Sequence, residues 1–302
     1  MASILRTPDE AFAGVPDFPF APHYIDDLPG YEGIRVHYVD EAGGEGPEAG
    51  KTFLCLHGQP SWSFLYRKMI PVFTAAGGRA VAPDLIGFGK SDKPEDDERY
   101  TYGFHRGMLM AFIEALDLRN VTLVCQDWGG ILGLGIVPDM AERFERLIVM
   151  NTGIPIGESP GPGFDAWKAF NRSQPDMDVA GLFKRGTPGI TDAEAAAYGA
   201  PFPDMTFKAG VRRFPELVPV DPAMEGVEEG KRARKFWSEE WSGKSFMAIG
   251  VQDPVLGPPA MKHMRTMMRG CPEPMEIADG GHFVQEKGEG IARAALAAFA
   301  AD

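Results

Sequence analysis

Short apolar runs alternate with longer helical stretches along most of the chain. Because the runs are bounded by Gly and Pro, we interpret them as buried strands. They predict parallel strands at residues 52–56, 79–83, 121–125, 147–151, 246–250 and 274–278. Helical stretches follow at the short spacing of βα units, over residues 66–75, 103–116, 129–140 and 290–300. The pattern predicts an α/β fold with a mostly parallel, doubly wound sheet.

Two earlier segments, residues 24–26 and 34–40, precede this alternation and could form an antiparallel edge of the sheet. The linker that follows them, residues 41–50, is rich in Gly and Glu and suits an exposed turn.

The strand pattern stops between residues 156 and 227, where helical pieces rich in Pro and Phe replace it. The pieces span residues 164–172, 179–185 and 191–199. Because strands are predicted on both sides, this segment interrupts one fold rather than starting another. We therefore predict a core formed by residues 1–155 and 228–302, with a helical cap at 156–227 inserted between the two parts.

The charge balance argues against several kinds of partner. The chain has 302 residues and a net charge of −13, which opposes binding to nucleic acid or to anionic lipid. Its densest basic stretch, residues 231–235, is flanked by glutamates and is typical of a solvated helix face. The sequence therefore predicts neither a nucleic-acid nor a membrane partner.

The amino terminus and the cysteines bear on the cellular location. The first twenty residues contain charged side chains and no continuous apolar run, so they predict neither a signal peptide nor a membrane anchor. Cys55 and Cys125 lie inside apolar strand-like runs, and with Cys271 they make an odd number. This favours reduced core thiols over disulfides or metal ligands, and the Cys and His spacing matches no zinc site. We expect a cytoplasmic protein without a metal.

The motif Gln126-Asp127-Trp128-Gly129-Gly130 follows a predicted strand and opens a predicted helix. This is the form of a nucleophile elbow in which Asp stands in place of Ser. An ionised carboxylate attacks an sp³ carbon directly, giving an ester and expelling a leaving group, so a base is needed only for the later hydrolysis. An ordinary acidic helix cap is the alternative for this residue taken alone. We predict Asp127 as the nucleophile.

His282 and Asp253 lie in loops that directly follow the last two predicted strands. The neutral imidazole of His282, on a Gly-rich loop, can deprotonate a water that attacks the ester. Asp253 can hold the tautomer of that histidine and stabilise its imidazolium form. Asn151 occupies the other place where a third member could lie, but it supplies no charge. The predicted triad is Asp127, His282 and Asp253.

A second turn, at His57-Gly58-Gln59-Pro60, ends the first parallel strand. Its geometry can aim the backbone amide of Gln59 into the site beside the amide of Trp128. We predict that these two amides form the oxyanion hole.

Over nearly its whole length the chain resembles the haloalkane dehalogenases of the α/β-hydrolase superfamily. The resemblance rests on His57-Gly58-Gln59-Pro60, Gln126-Asp127-Trp128-Gly129-Gly130, Phe164-Asp165-Ala166-Trp167, Asp253 and Gly281-His282-Phe283. It implies the Asp-His-Asp subgroup with two halide-binding tryptophans, which by motif are Trp128 and Trp167. It also implies a halogenated alkane substrate, water as the second substrate, halide as a product, and no cofactor. Gln59 departs from close relatives that carry Glu, which matters little because the backbone amide acts there.

Three other interpretations compete with this one. An epoxide hydrolase shares the core and the Asp nucleophile, but that family protonates an alkoxide with a pair of cap tyrosines, and Tyr198 is the only tyrosine between residues 156 and 227. A fluoroacetate-type dehalogenase would be expected to place arginine beside the nucleophile, where this chain has Trp128. A silent, hydrolase-like binding protein would not need a full triad. The epoxide hydrolase is the strongest alternative.

Overall fold

The structure, a computed structural model, describes residues 3–301. Its strands are β1 (Ile4–Leu5), β2 (His23–Ile25), β3 (Val36–Glu41), β4 (Thr52–Leu56), β5 (Arg79–Pro83), β6 (Lys93–Pro94), β7 (Val121–Gln126), β8 (Phe144–Met150), β9 (Lys244–Gly250) and β10 (Met275–Ile277). The described helices are α1 (Ile70–Ala75), α2 (Tyr102–Ala115), α3 (Asp127–Ile136), α4 (Pro162–Ser173), α5 (Val179–Gly186), α6 (Asp192–Gly199), α7 (Ala209–Leu217), α8 (Val227–Lys235), α9 (Pro258–Thr266) and α10 (Gly288–Ala300).

Eight strands form one mixed sheet in the order β10-β9-β8-β7-β4-β5-β3-β2. The six predicted strands pair in parallel, and β2 and β3 form the predicted antiparallel edge beside β5. β4 and β7 are buried along their whole length, as expected for inner parallel strands. β5 pairs with one side of β4, and β7, which comes later in the chain, pairs with the other side. This reversal opens a crevice at the carboxyl ends of β4 and β7, where ligands bind in such sheets.

Proline explains where two helices differ from their predicted bounds. The helix predicted at 66–75 is a 3₁₀ turn (Ser63–Tyr66) followed by α1, because Pro71 fits the first turn of a helix and not its interior. The helix predicted at 129–140 is α3 followed by a 3₁₀ turn (Val137–Asp139), since Pro138 has no N–H to donate. The antiparallel pair of β1 and β6 was not predicted, because two-residue strands leave no periodic pattern.

Four helices, α4 to α7, lie between β8 and the last part of the core. The three pieces predicted for the cap correspond to α4, α5 and α6. α7 was missed because Pro215 lies inside it and breaks the expected helical pattern. The helices fall where the sequence predicts the cap, and the boundaries at 156 and 227 stay a prediction.

All three cysteines are buried and unpaired, which confirms the expected core thiols. Within residues 3–301, no helix is long and apolar enough to cross a membrane. The cytoplasmic location stays a prediction.

A buried cluster of charges joins the core to α6. Arg67 directly follows the 3₁₀ turn Ser63–Tyr66. It donates two hydrogen bonds of 2.7 Å to Glu286 and one of 2.6 Å to Glu194 in α6. Lys68 donates to Glu286 at 2.7 Å, and the hydroxyl of Tyr198 donates to the same carboxylate. The side chain of Arg67 is fully buried, so its charge depends on these carboxylates for solvation.

We expect Arg67→Met to lower the free energy of unfolding by about 3–5 kcal/mol, the usual effect of removing one partner of a buried ion pair. The variant would leave Lys68, which is partly exposed, as the cation shared by Glu286 and Glu194. Urea unfolding followed by fluorescence measures the change. As the matched control, Arg172→Met breaks an exposed pair with Glu216 and should cost about 1 kcal/mol or less. Equal stabilities of the two variants would contradict the prediction.

Candidate active site

Asp127 is the first residue of α3 and lies at a sharp turn directly after β7. Its φ of 51° is in the left-handed region that non-glycine residues rarely adopt. The turn packs tightly: a Cβ on Gly129 would lie 1.9 Å from the carbonyl oxygen of Leu56, so only glycine fits there. The hydroxyl of Thr152, in the loop after β8, donates to the carbonyl of Asp127 at 2.7 Å and supports the turn. This is the strained strand-to-helix geometry of a nucleophile elbow.

Two backbone amides point at the carboxylate of Asp127. The amide of Gln59 donates to Oδ1 at 2.8 Å, and the amide of Trp128 is the other backbone N–H that favours the ionised carboxylate. Burial raises the pKa of Asp127 above its usual range, whereas His282 and the two amides oppose this by stabilising the ionised form. The structure thus brings the predicted amides of Gln59 and Trp128 to one carboxyl group.

His282 lies between two carboxylates. Its Nδ1 is 2.7 Å from Oδ2 of Asp253, and its Nε2 is 3.6 Å from Oδ2 of Asp127. Burial alone lowers the pKa of His282, but the charge and hydrogen bond of Asp253, together with Asp127, raise it to about 9. The three residues predicted as a triad are therefore adjacent, in the order nucleophile, base and acid.

Asp253 is held as an anion by its surroundings. Burial by itself raises the pKa of this carboxyl, but His282 and the amides of Val255 and Leu256 lower it to about 2. Those amides donate to Oδ1 at 2.8 and 3.0 Å, which leaves Oδ2 to accept from the imidazole. The arrangement fixes the proton of a neutral His282 on Nδ1 and presents Nε2 toward Asp127.

Asn151, which the sequence analysis set aside as unable to supply charge, supports Asp253 directly. Its Nδ2 donates to Oδ2 of Asp253 at 2.9 Å and to the carbonyl of Gly250 at 3.1 Å. Its Oδ1 accepts from the amide of Gly250 at 2.8 Å. Its position at the end of β8 was the available sequence signal, but the partner could be identified only from the strand order.

A cavity of about 470 Å³ opens over these residues. Its walls are mostly apolar and include Ile131, Phe164, Leu182, Val218 and Met264. Such a pocket accepts a small apolar molecule and excludes much of the water. Charged or titratable residues that were not predicted also line it: Glu158, Arg234 and His263.

The five tryptophans divide into two groups by the use of their indole N–H. Trp62, Trp237 and Trp241 are buried in the core, and each donates to a backbone carbonyl or a serine hydroxyl. Trp128 and Trp167 line the cavity, and neither indole has a hydrogen-bond partner within residues 3–301. An indole N–H is a donor only, so these two groups are available to an anion in the pocket.

Tyr198 is placed away from the cavity. It is fully buried, its ring stacks on Phe183 at 3.6 Å, and its hydroxyl donates to Glu286. Among the described residues no tyrosine lines the pocket. The pair of cap tyrosines with which an epoxide hydrolase protonates the developing alkoxide is therefore not found among the described residues that line the pocket.

Together these groups can carry out a nucleophilic displacement followed by an ester hydrolysis. The carboxylate of Asp127 can attack carbon, and the unpaired indole N–H groups can donate hydrogen bonds to a departing anion. The pair of His282 and Asp253 can activate water. Within residues 3–301, no group of His, Cys, Asp and Glu is placed to hold a metal ion.

Comparisons with known proteins agree with this geometry. A family model described as alpha/beta hydrolase fold matches residues 51–289. A haloalkane dehalogenase of Psychrobacter cryohalolentis is 44% identical over 297 residues, which cover 96% of this chain and 96% of that protein. One of Mycolicibacterium paratuberculosis is 40% identical over 292 residues, 94% of this chain and 93% of that protein. The tetrameric structure of haloalkane dehalogenase DpaA from Paraglaciecola agarilytica NO2 is 53% identical, with a TM-score of 0.94 and 98% of each chain covered.

Proposed function

We propose roles for the pocket residues from one premise: this chain belongs to the haloalkane dehalogenases, hydrolases of the α/β-hydrolase fold that convert a halogenated alkane and water to an alcohol and halide. The resemblance seen in the sequence motifs is thereby confirmed, and the epoxide-hydrolase alternative is not favoured.

We assign the first step to Asp127. Its Oδ1 is held by the amide of Gln59, so Oδ2 is the oxygen better placed to attack the substrate carbon. The new C–O bond forms as the C–halogen bond breaks, and the product is an alkyl ester of Asp127 with a free halide. The mostly apolar walls favour this step, because a carboxylate with fewer water contacts is a stronger nucleophile.

We assign the leaving halide to the indole N–H groups of Trp128 and Trp167. The observation that carries this assignment is that both tryptophans line the pocket and neither indole N–H has a partner in the described chain, whereas the other three tryptophans use theirs. Donors that are already oriented stabilise a developing negative charge without reorganising during the reaction. Trp167 belongs to the segment at 156–227, which we take to be the cap over the pocket.

We assign the second step to His282 and Asp253. Water attacks Cγ of the ester while Nε2 of His282 takes its proton, and Asp253 stabilises the resulting imidazolium. The negative charge on the ester oxygen then develops beside the amides of Gln59 and Trp128, which serve as the oxyanion hole. Collapse of this intermediate expels the alkoxide, which takes the proton from His282, and leaves Asp127 as a carboxylic acid. Loss of that proton to solvent through His282 restores the carboxylate.

A substrate panel tests the assignment of the pocket. The purified protein should release halide from brominated and chlorinated alkanes that fit a cavity of about 470 Å³, and it should leave epoxides of matching size intact. Halide release is followed by ion chromatography and diol formation by gas chromatography. Faster diol formation than halide release would contradict the proposal.

We expect Trp167→Phe to weaken bromide binding and to slow chloroalkane turnover more than bromoalkane turnover, because chloride is the poorer leaving group. Loss of one oxyanion-hole donor costs roughly 10²–10³ in rate, and a diffuse halide should require less help, so we expect about 10–100-fold. Bromide should quench the fluorescence of the unsubstituted protein saturably. Phe164→Leu, a pocket change in the same helix that removes no donor, is the control. Linear quenching and unchanged chloroalkane turnover in Trp167→Phe would reject Trp167 as a halide ligand.

A further inference from the structure

Gln126 is a fully buried residue that none of the proposed roles uses. It is the last residue of β7 and directly precedes Asp127. Its Nε2 lies 2.9 Å from Nε2 of His282 and 3.1 Å from the carbonyl oxygen of the same histidine. The other ring nitrogen, Nδ1, is already paired with Asp253. Gln126 therefore contacts the histidine at the nitrogen that must accept a proton.

The contact with the carbonyl fixes the orientation of the Gln126 amide. A carbonyl oxygen only accepts hydrogen bonds, so the side-chain atom 3.1 Å from it must be the NH₂ group. Turning the amide over would place two acceptor oxygens against each other. The second N–H of the same group then points at Nε2 of His282, which accepts it only when that nitrogen carries no proton. The carbonyl contact thus selects the neutral imidazole with its proton on Nδ1.

We propose that Gln126 is a positioning residue that holds His282 as a neutral base, with Nε2 unprotonated, for hydrolysis of the alkyl-enzyme. The inference rests on the proposed role of His282. Gln126 does not touch the substrate, since it is absent from the residues that line the cavity.

The charges around His282 oppose its role as a base. Asp253 and Asp127 both favour the imidazolium and hold the pKa of His282 near 9, where most of the ring is protonated at neutral pH and cannot act as a base. Formation of the ester removes the charge of Asp127 but leaves that of Asp253. The N–H of Gln126 opposes Asp253, because it hydrogen-bonds to the neutral ring and faces the added proton of the imidazolium. Other titratable groups in the same cavity are Glu158, Arg234 and His263.

Proton transfer to His282 breaks the hydrogen bond between Gln126 and Nε2 of the ring. When water attacks Cγ of Asp127, its proton moves to Nε2 of His282, and the N–H of Gln126 gives up that hydrogen bond. The second N–H remains on the carbonyl of His282, so the loop stays anchored. When the proton passes to the leaving alkoxide, the contact with Nε2 forms again.

The test compares Gln126→Met with Gln126→Glu. The halide burst reports alkylation, and single-turnover alcohol release reports dealkylation, each measured between pH 6 and 10. Met removes the donor, so the pKa of His282 should rise and the increase of dealkylation with pH should move up by about 0.5–1 unit. At neutral pH this shift lowers the rate of dealkylation by about 3–10-fold, and the rate recovers at high pH.

Glu should move the midpoint of the dealkylation pH profile further, because a carboxylate accepts the proton of the imidazolium. The burst should stay within about twofold of wild type, since alkylation does not use His282.

Gln285→Leu is the matched control. Gln285 is also a buried glutamine, three residues beyond His282, but its Nε2 lies 3.5 Å from the hydroxyl of Tyr66 and does not contact the imidazole. Its loss should leave the midpoint unchanged. A Gln126→Met variant with a wild-type midpoint and a uniform loss of rate at every pH would overturn the inference, because that is the result of a purely structural role.

A measurement on the unsubstituted protein covers the case in which the variants do not fold. In ¹⁵N NMR, the side-chain amide signals of Gln126 should titrate with the same midpoint as the ring of His282, while those of Gln285 stay constant. Amide signals of Gln126 that do not move as His282 titrates would overturn the inference. Absence of any halide release from the unsubstituted enzyme would instead contradict the proposed function itself.

Discussion

Asp127→Ala should release no halide above the uncatalysed rate, while its circular dichroism matches that of the unsubstituted protein. No other carboxylate is held at the elbow between the amides of Gln59 and Trp128. Removal of a catalytic nucleophile in hydrolases of this general kind costs on the order of 10⁴-fold or more in rate. Asn is a poorer substitution at this position, since deamidation would restore Asp. Halide release from a bromoalkane over hours measures the residual activity.

Glu158→Ala is the matched control for this variant. Glu158 places a second carboxylate at the same cavity, but it is exposed and neither amide of the turn contacts it. Its loss should change turnover by less than about tenfold, the range of an ordinary binding contact. Turnover of Asp127→Ala within that range, with the fold intact, would remove Asp127 from the mechanism.

The elements that the sequence predicted well are those whose pattern is local. The inner strands are continuous apolar runs because both faces of a parallel sheet are covered, so their positions could be determined without knowing their partners. The elbow was recognisable because Asp127 and the two glycines after it lie in consecutive positions. The α/β class with a mostly parallel sheet followed from these runs, and the α/β-hydrolase fold followed from the motifs and the family resemblance.

The features that the sequence did not reveal depend on contacts between distant residues. Gln126 and His282 are 156 positions apart, and Arg67 and Glu286 are 219 positions apart. Polar residues of this kind look like ordinary surface positions until the strand order places them together. Arg234 likewise fell in a stretch interpreted as a solvated helix face, yet it lines the pocket. Burial lowers its pKa, which is a consequence of packing and not of local sequence.

The loop that carries His282 is held by α5 and α6 as well as by the sheet. Phe283 stacks on Phe183 of α5 at 3.9 Å, and Phe183 stacks in turn on Tyr198 of α6 at 3.6 Å. Four residues after His282, Glu286 joins the buried charge cluster that includes Glu194 of α6. The two helices and the loop therefore form one packed unit. Changes in α5 or α6 that disturb this stack should alter hydrolysis of the ester.

His282→Phe should separate the two half-reactions. On the proposed roles, alkylation needs only the carboxylate of Asp127 and the indole donors to halide, so the variant should release about one equivalent of halide per site. Loss of a positioned general base slows the step it serves by about 10²–10⁴-fold, and the ester should therefore accumulate. Intact mass should rise by the mass of the alkyl group, and peptide mapping should locate the addition on Asp127.

The control for this variant is His263→Phe. His263 is the other histidine that lines the cavity, but it lies in α9 and contacts neither Asp127 nor Asp253. That variant should turn over repeatedly and show no adduct. The same substitution is thus made at two histidines of one pocket, and only His282→Phe should accumulate the ester. The comparison separates loss of the base from a general effect of an added phenyl ring. Absence of both burst and adduct in folded His282→Phe, supplied with a good bromoalkane, would mean that His282 acts before the ester forms.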